Sequence, residues 1–183
     1  YVAESMLDDE EVMEKVRRFS WESVENGVFR QMCDTQTPQG ILAIVRMPKY
    51  DLPDLLQGDH THLLILESVQ DPGNLGTMVR TGEGAGITGI IMNKTTVDLF
   101  NPKTIRSTMG SIYRVPYLIT EHLPDLLDEL HKENIRLYAA HLKGDTYYDA
   151  FDFTGACGFL IGNEGNGLRE ETSKMADHYI IIP

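Results

Sequence analysis

Three observations predict an α/β domain built on a parallel sheet. Short, almost wholly apolar runs recur at residues 63–66, 87–92, 115–119, 135–140, 157–161 and 179–182. Stretches of helical character separate them, at residues 74–84, 102–109, 121–133 and 167–175. The runs lack the polar alternation of a half-exposed strand, so both faces must be covered, as they are when crossover helices flank a parallel sheet. Pattern alone gives an open, doubly wound sheet that takes its ligands at the carboxyl ends of the strands.

Upstream of this region the rhythm differs. Tyr1, Val2 and Ala3 read like the tail of a strand, and the chain stops within the apolar run from Tyr179 to Pro183, so we expect both ends to be truncated. Residues 7–19 predict a helix, because acidic residues crowd its start and Lys15, Arg17 and Arg18 its end, complementing the helix dipole. Residues 23–46 predict short strands around a turn at 34–40, followed by a strand at 41–45. Two prolines and a glycine within residues 47–60 mark a boundary there. The expected organisation is a small domain with its linker over residues 1–57 and a larger domain over residues 58–183, a division that suits a chain of 183 residues.

Composition narrows the function. The chain is 42% hydrophobic and 24% charged, as ordinary globular proteins are. There is no apolar run long enough to span a bilayer and no signal-peptide pattern. Cys33 and Cys157 lie far apart without ligand spacing and read as reduced thiols of a cytoplasmic protein. The six histidines form no HxxxH or similar pair, so no metal site is expected. A net charge of −12 argues against a broad basic footprint for nucleic acid, while leaving room for a local basic cleft.

Two loops carry candidate chemistry. After the run at 63–66 comes Glu67-Ser68-Val69-Gln70-Asp71-Pro72-Gly73-Asn74-Leu75-Gly76-Thr77-Met78-Val79-Arg80. Pro72-Gly73 predicts a turn, and Asn74 is placed to cap the helix that follows, where free N–H groups attract anions. Gly76 removes a side chain where backbone or ligand approaches, and Arg80, one turn on, carries a planar fork suited to phosphate or a developing oxyanion. The same residues also fit a plain strand–turn–helix corner with a surface arginine. The glycines at 82, 84 and 86 end that helix and do not form a dinucleotide fingerprint.

After the run at 157–161 comes Gly162-Asn163-Glu164-Gly165-Asn166-Gly167-Leu168. Glycine and asparagine at this density make a tight loop that exposes its backbone at a strand's carboxyl end. Glu164 is the charged side chain at its centre, able to orient a polar partner, act as a base, or simply complement the next helix's N-terminus.

In this order and spacing the two loops resemble the signature motifs of the SpoU/TrmH family of SPOUT RNA methyltransferases. Asn74, Gly76 and Arg80 match its first motif, and Gly162, Asn163, Glu164, Gly165, Gly167 and Leu168 its second. Residues 106–116 resemble the region between them, and residues 34–43 the end of a small ribosomal-protein-like domain that precedes many members. The third motif begins with an Ile-Pro pair, matched by Ile182-Pro183, where the chain stops. In the family that segment threads a deep trefoil knot, which the physics of sequence would not propose.

The resemblance implies a parallel-sheet SPOUT methyltransferase domain with its knot segment cut short, preceded by part of an RNA-substrate-binding domain. It implies methyl transfer from S-adenosylmethionine to a ribose 2′-hydroxyl of ribosomal or transfer RNA by a homodimer. Arg80 would hold the phosphate and the developing alkoxide, with Asn74 and Glu164 orienting the site. Gly162, Ile182, Leu160 and Ala140 would contact the cofactor, although Leu160, Ile182 and Ala140 equally suit a core. Arg80, Lys103 and Arg106 would line the RNA path, although residues 103–106 equally suit a solvated helix face. The alternatives are a SPOUT enzyme that methylates a base, or a non-catalytic RNA-binding or assembly protein with this fold.

Overall fold

A computed structural model describes residues 1–183, which form two compact units, Tyr1–Pro48 and Lys49–Pro183. In the first, strand β1 (Val2–Ala3) pairs in parallel with β2 (Ser23–Val24). Helix α1 (Glu10–Val16) starts at Asp9, whose side chain accepts from the Val12 amide at 3.1 Å, and buries Met13 and Val16 against Val2. The strands predicted across 23–46 are a correction: residues 23–24 and a single bridge between Ile41 and Val2 remain, and helix α2 (Asn26–Met32) occupies the middle. The cause is Glu25, whose carboxylate accepts from the amides of Gly27 at 2.9 Å and Val28 at 3.1 Å. This cap overrides the strand preference of the valines and phenylalanine around it.

The second unit follows the predicted alternation. In chain order it holds α3 (Leu52–Leu55), β3 (His62–Leu66), α4 (Pro72–Ala85), β4 (Gly89–Asn93), α5 (Pro102–Thr108), β5 (Tyr117–Thr120), α6 (Leu123–Lys132), β6 (Arg136–Ala140), β7 (Thr146–Tyr147), β8 (Cys157–Ile161), α7 (Glu170–Ser173) and β9 (His178–Ile181). The seven strands from β3 to β9 form one sheet in the order β5-β4-β3-β8-β6-β9-β7, and every neighbouring pair is parallel. Parallel pairing with both faces buried is why these strands read as unbroken apolar runs.

The two faces make two cores. Leu63, Ile65, Ile91, Leu137 and Leu160 point to one, where α6 contributes Leu123, Leu126, Leu127 and Leu130. Leu66, Ile90 and Met92 point to the other, under Leu75 and Val79 of α4. Each wholly buried leucine is worth about 1.5–3 kcal/mol relative to exposure. Leu55 of α3 is wholly buried in the first of these cores, directly over Gly89, where a Cβ would stand 2.3 Å from its Cγ. Tyr138, Phe151, Phe153 and Phe159 pack edge-on or stacked and cover the sheet near β6 and β8. No helix is long and apolar enough to cross a membrane. Cys33 and Cys157 are free thiols, and burial pushes Cys157 up to about 11.

Strand order creates the crevice. After β3 the chain crosses to β4 on one side, whereas after β8 it passes β6 to reach β9 on the other. Since β3 and β8 are neighbours, the loops leaving their carboxyl ends diverge, which defines a topological switch point.

Candidate active site

The loops after β3 and β8 meet across this switch point. The Glu164 carboxylate accepts from the backbone amides of Gln70 at 3.0 Å and Asp71 at 3.1 Å, and from the Asn74 side-chain amide at 3.2 Å. Burial would raise its pKa, but the bonds from Asp71, Gln70 and Asn74 outweigh this and hold it at about 2. A carboxylate this acidic is a poor base at neutral pH, so its geometry suits orientation. Asn74 differs from its predicted place. The cap of α4 is Asp71, which accepts from the Asn74 amide at 2.8 Å, because Pro72 with its fixed φ already occupies the first helical position. Asn74 therefore sits inside the first turn, and its side chain is free to reach Glu164. The helix ends at Gly86, which takes φ 83°, as the glycine run suggests.

Around this contact lies a polar scaffold that sequence reasoning did not assign. Asn163 donates from its side chain to the Ser68 carbonyl at 2.9 Å and accepts from the amides of Gly165 and Asn166 at 3.0 and 2.9 Å. Its backbone exchanges two bonds with Gly167, so the loop closes on itself. Ser68 takes φ 59°, a left-handed conformation uncommon without glycine. The buried Asn93 at the end of β4 steadies it by accepting from the Ser68 amide at 2.9 Å. Glu67, only 1% exposed, accepts from the Arg169 amide at 2.7 Å, the Arg169 guanidinium at 2.8 Å and the Thr172 hydroxyl at 2.5 Å. The one signal for Glu67 and Asn93 was a polar residue closing an apolar run. Helix α7 itself is confined to Glu170–Ser173, shorter than predicted, because Gly167 at φ 69° still belongs to the loop.

The basic residues separate. Arg80 is exposed, and its side chain makes no hydrogen bond or ion pair, one turn beyond Gly76. Gly76 serves backbone approach: a Cβ there would stand 1.8 Å from the Ser107 hydroxyl and 2.6 Å from the Thr104 carbonyl, so α4 and α5 touch at this glycine. Lys103 pairs with Asp71 at 3.2 Å beside the start of α4. The Asn74 amide and then Lys103 lower the Asp71 pKa. Arg106 is exposed and unpartnered too, but Thr104 and Ser107 face α4, so the helical turn aims Arg106 away from Arg80.

The four residues named for the cofactor lie at or beside the carboxyl ends of β6, β8 and β9. Leu160 is wholly buried in the core under α6 and presents no surface to a ligand, the core role its sequence equally suited. Gly162 and Ala140 are half-buried, and Ile182 is 60% exposed. Gly162 admits no side chain, since a Cβ would lie 2.1 Å from the Gly167 carbonyl carbon. A backbone-rich loop beside uncovered aliphatic side chains fits a cofactor with a flat base and a short zwitterionic tail. No group of histidine, cysteine, aspartate and glutamate gathers as metal ligands do.

An open, parallel α/β sheet thus carries switch-point loops joined by a carboxylate, with an arginine of unpaired side chain on the helix that follows the first loop. The family model described as the SpoU rRNA Methylase family matches residues 61–183, and the chain belongs to that family. The 23S rRNA (guanosine(2553)-2'-O)-methyltransferase RlmP of Bacillus subtilis is 34% identical over 155 residues, covering 85% of this chain and 60% of its own length. The 23S rRNA (guanosine-2'-O-)-methyltransferase RlmB of Escherichia coli K12 is 32% identical over 155 residues, 82% of this chain and 64% of its own. The chain thus spans about 60% of the length of the curated relatives it matches. Among solved structures, the AdoMet-bound rRNA methyltransferase from Sinorhizobium meliloti superposes with a TM-score of 0.81 at 28% identity, over 100% of this chain and 70% of its own. AviRb from Streptomyces viridochromogenes, with AdoMet, reaches 0.89 at 24% identity, over 100% of this chain and 72% of its own, a likeness of fold.

Proposed function

We propose that this chain carries the catalytic core of an S-adenosylmethionine-dependent RNA ribose 2′-O-methyltransferase acting on ribosomal RNA. The observation that carries the reading is the Glu164–Asn74 hydrogen bond across the switch point, with Arg80 unpartnered on the same helix. The names of the curated relatives support ribosomal RNA and the ribose oxygen. When bound, S-adenosylmethionine supplies an electrophilic methyl group to the attacking 2′-oxygen.

Gly162, Ala140 and Ile182 would hold the cofactor against the loop after β8. Glu164 fixes the Asn74 amide and the amides of Gln70 and Asp71, so the rim of the crevice is set before substrate arrives. Arg80 binds the phosphate next to the target ribose and stabilises charge growing on the 2′-oxygen, a role that suits a permanently protonated guanidinium. Lys103 and Arg106, three residues apart on one exposed side of α5, extend the contact to flanking phosphates. The first compact unit, residues 1–48, forms part of a substrate-binding domain. The resemblance also implies a cytoplasmic protein that pairs as a homodimer, and sedimentation at working concentration measures the pairing.

The test incubates the protein with S-adenosylmethionine and ribosomal RNA, digests the product to nucleosides and weighs them. A 2′-O-methylnucleoside is the expected product. Methyl groups on a base would overturn the ribose assignment, and folded protein that shows no calorimetric binding of the cofactor would overturn the enzymatic reading.

A further inference from the structure

We infer that Glu67 is a positioning residue for the loop after β8, acting on the cofactor site through Arg169 and Thr172; this rests on the proposed function. Both oxygens of its carboxylate are engaged. One takes the Arg169 amide, and the other takes the Arg169 guanidinium and the Thr172 hydroxyl. The Glu67 amide also donates to the Ile161 carbonyl at 2.9 Å, so this one residue grips the β8 segment on both sides of its loop.

The influence passes by direct contact. Arg169 follows Leu168, which is seated in the core, and Gly167. Gly167 lies so close against Gly162 that no Cβ fits between them. Shifting Arg169 therefore shifts the wall against which the proposed cofactor contact at Gly162 rests. Stability alone does not call for a charged group here, because the desolvation of the buried Glu67 carboxylate offsets its attraction to the half-exposed Arg169. What a carboxylate adds is direction, fixing one amide, one guanidinium and one hydroxyl in place. The Glu164 carboxylate is exposed to solvent, whereas the Glu67 carboxylate is buried beneath a half-exposed Arg169 and holds the far end of the same loop.

The experiment compares Glu67→Gln, Thr172→Val and Thr172→Ser with the native chain, at a temperature where circular dichroism shows every protein folded. Calorimetry with S-adenosylmethionine is paired with amide hydrogen exchange. Glu67→Gln and Thr172→Val should each weaken cofactor binding about tenfold, and exchange should quicken in residues 163–169 but not in β4 or β5. Thr172→Ser, which keeps the hydroxyl, should match the native chain. A lowered melting temperature with cofactor affinity and loop exchange unchanged would show a merely structural residue and overturn the inference. If Glu67→Gln does not fold, Thr172→Val carries the same comparison. A native chain that binds no cofactor refutes the proposed function, and the exchange measurement then decides the clamp alone.

Discussion

Replacing Glu164 by glutamine tests how much of the site depends on one carboxylate. The native group receives three donors, from Gln70, Asp71 and Asn74. Glutamine keeps one acceptor oxygen and turns an NH2 group toward donors that cannot pair with it. Hydrogen bonds to a charged group contribute about 1.5–3 kcal/mol where water is excluded, and the exposure of Glu164 brings the expected loss down to about 1–2 kcal/mol. A loss of that size lowers the population of the closed crevice by about 5–30-fold. Methyl transfer to ribosomal RNA, followed with labelled cofactor, should show kcat/KM falling by that factor while the melting temperature moves little. Activity within twofold of the native protein would refute the idea that this contact assembles the site.

The same residue predicts a dependence on acid. Its pKa in the fold is about 2, below the ordinary carboxylate value of about 4.3. A depressed folded value means that the contribution is whole above the ordinary pKa and disappears as pH falls toward the folded one. The Asn74 side-chain amide resonance should therefore shift as pH drops from about 4 to about 2 in the native protein. In Glu164→Gln it should stay flat over that window.

Further substitutions probe other links. Arg80→Ala should abolish methylation while leaving calorimetric cofactor binding nearly intact, and equal turnover would remove Arg80 from the reaction. Gly76→Ala should lower stability by about 1–3 kcal/mol in denaturant unfolding, because the new methyl meets the Thr104 carbonyl as well as the movable Ser107 hydroxyl. Gly162→Ala should fold yet lose cofactor binding, since its methyl would strike the backbone of Gly167 and Leu168; a native-like dissociation constant would show that the loop tolerates a wider path.

What could be read in advance follows a physical division. The long strands of the parallel sheet were legible because burial on both faces leaves an unbroken apolar run, whereas the two-residue edge strand β7 leaves no such trace. The N-terminal unit was misread where one glutamate, capping α2 with its carboxylate, outweighed the strand preference of its neighbours. The start of α4 was misplaced by one turn because Pro72-Gly73 looks like a turn, while Pro72 in fact opens the helix behind the Asp71 cap. That displacement matters to the crevice, because it releases the Asn74 side chain from capping and lets it reach Glu164. The bonds from Glu67 to Arg169 and from Glu164 to Asn74 span 102 and 90 residues, and no local pattern encodes them. They exist because β8, late in the chain, inserts between β3 and β6 instead of extending an edge. Sequence spells out two ordinary strand–turn–helix corners, and the insertion makes them one crevice. The chemistry proposed here therefore depends on strand order, and a variant that kept both motifs but left β8 at an edge would keep every named residue and lose the site.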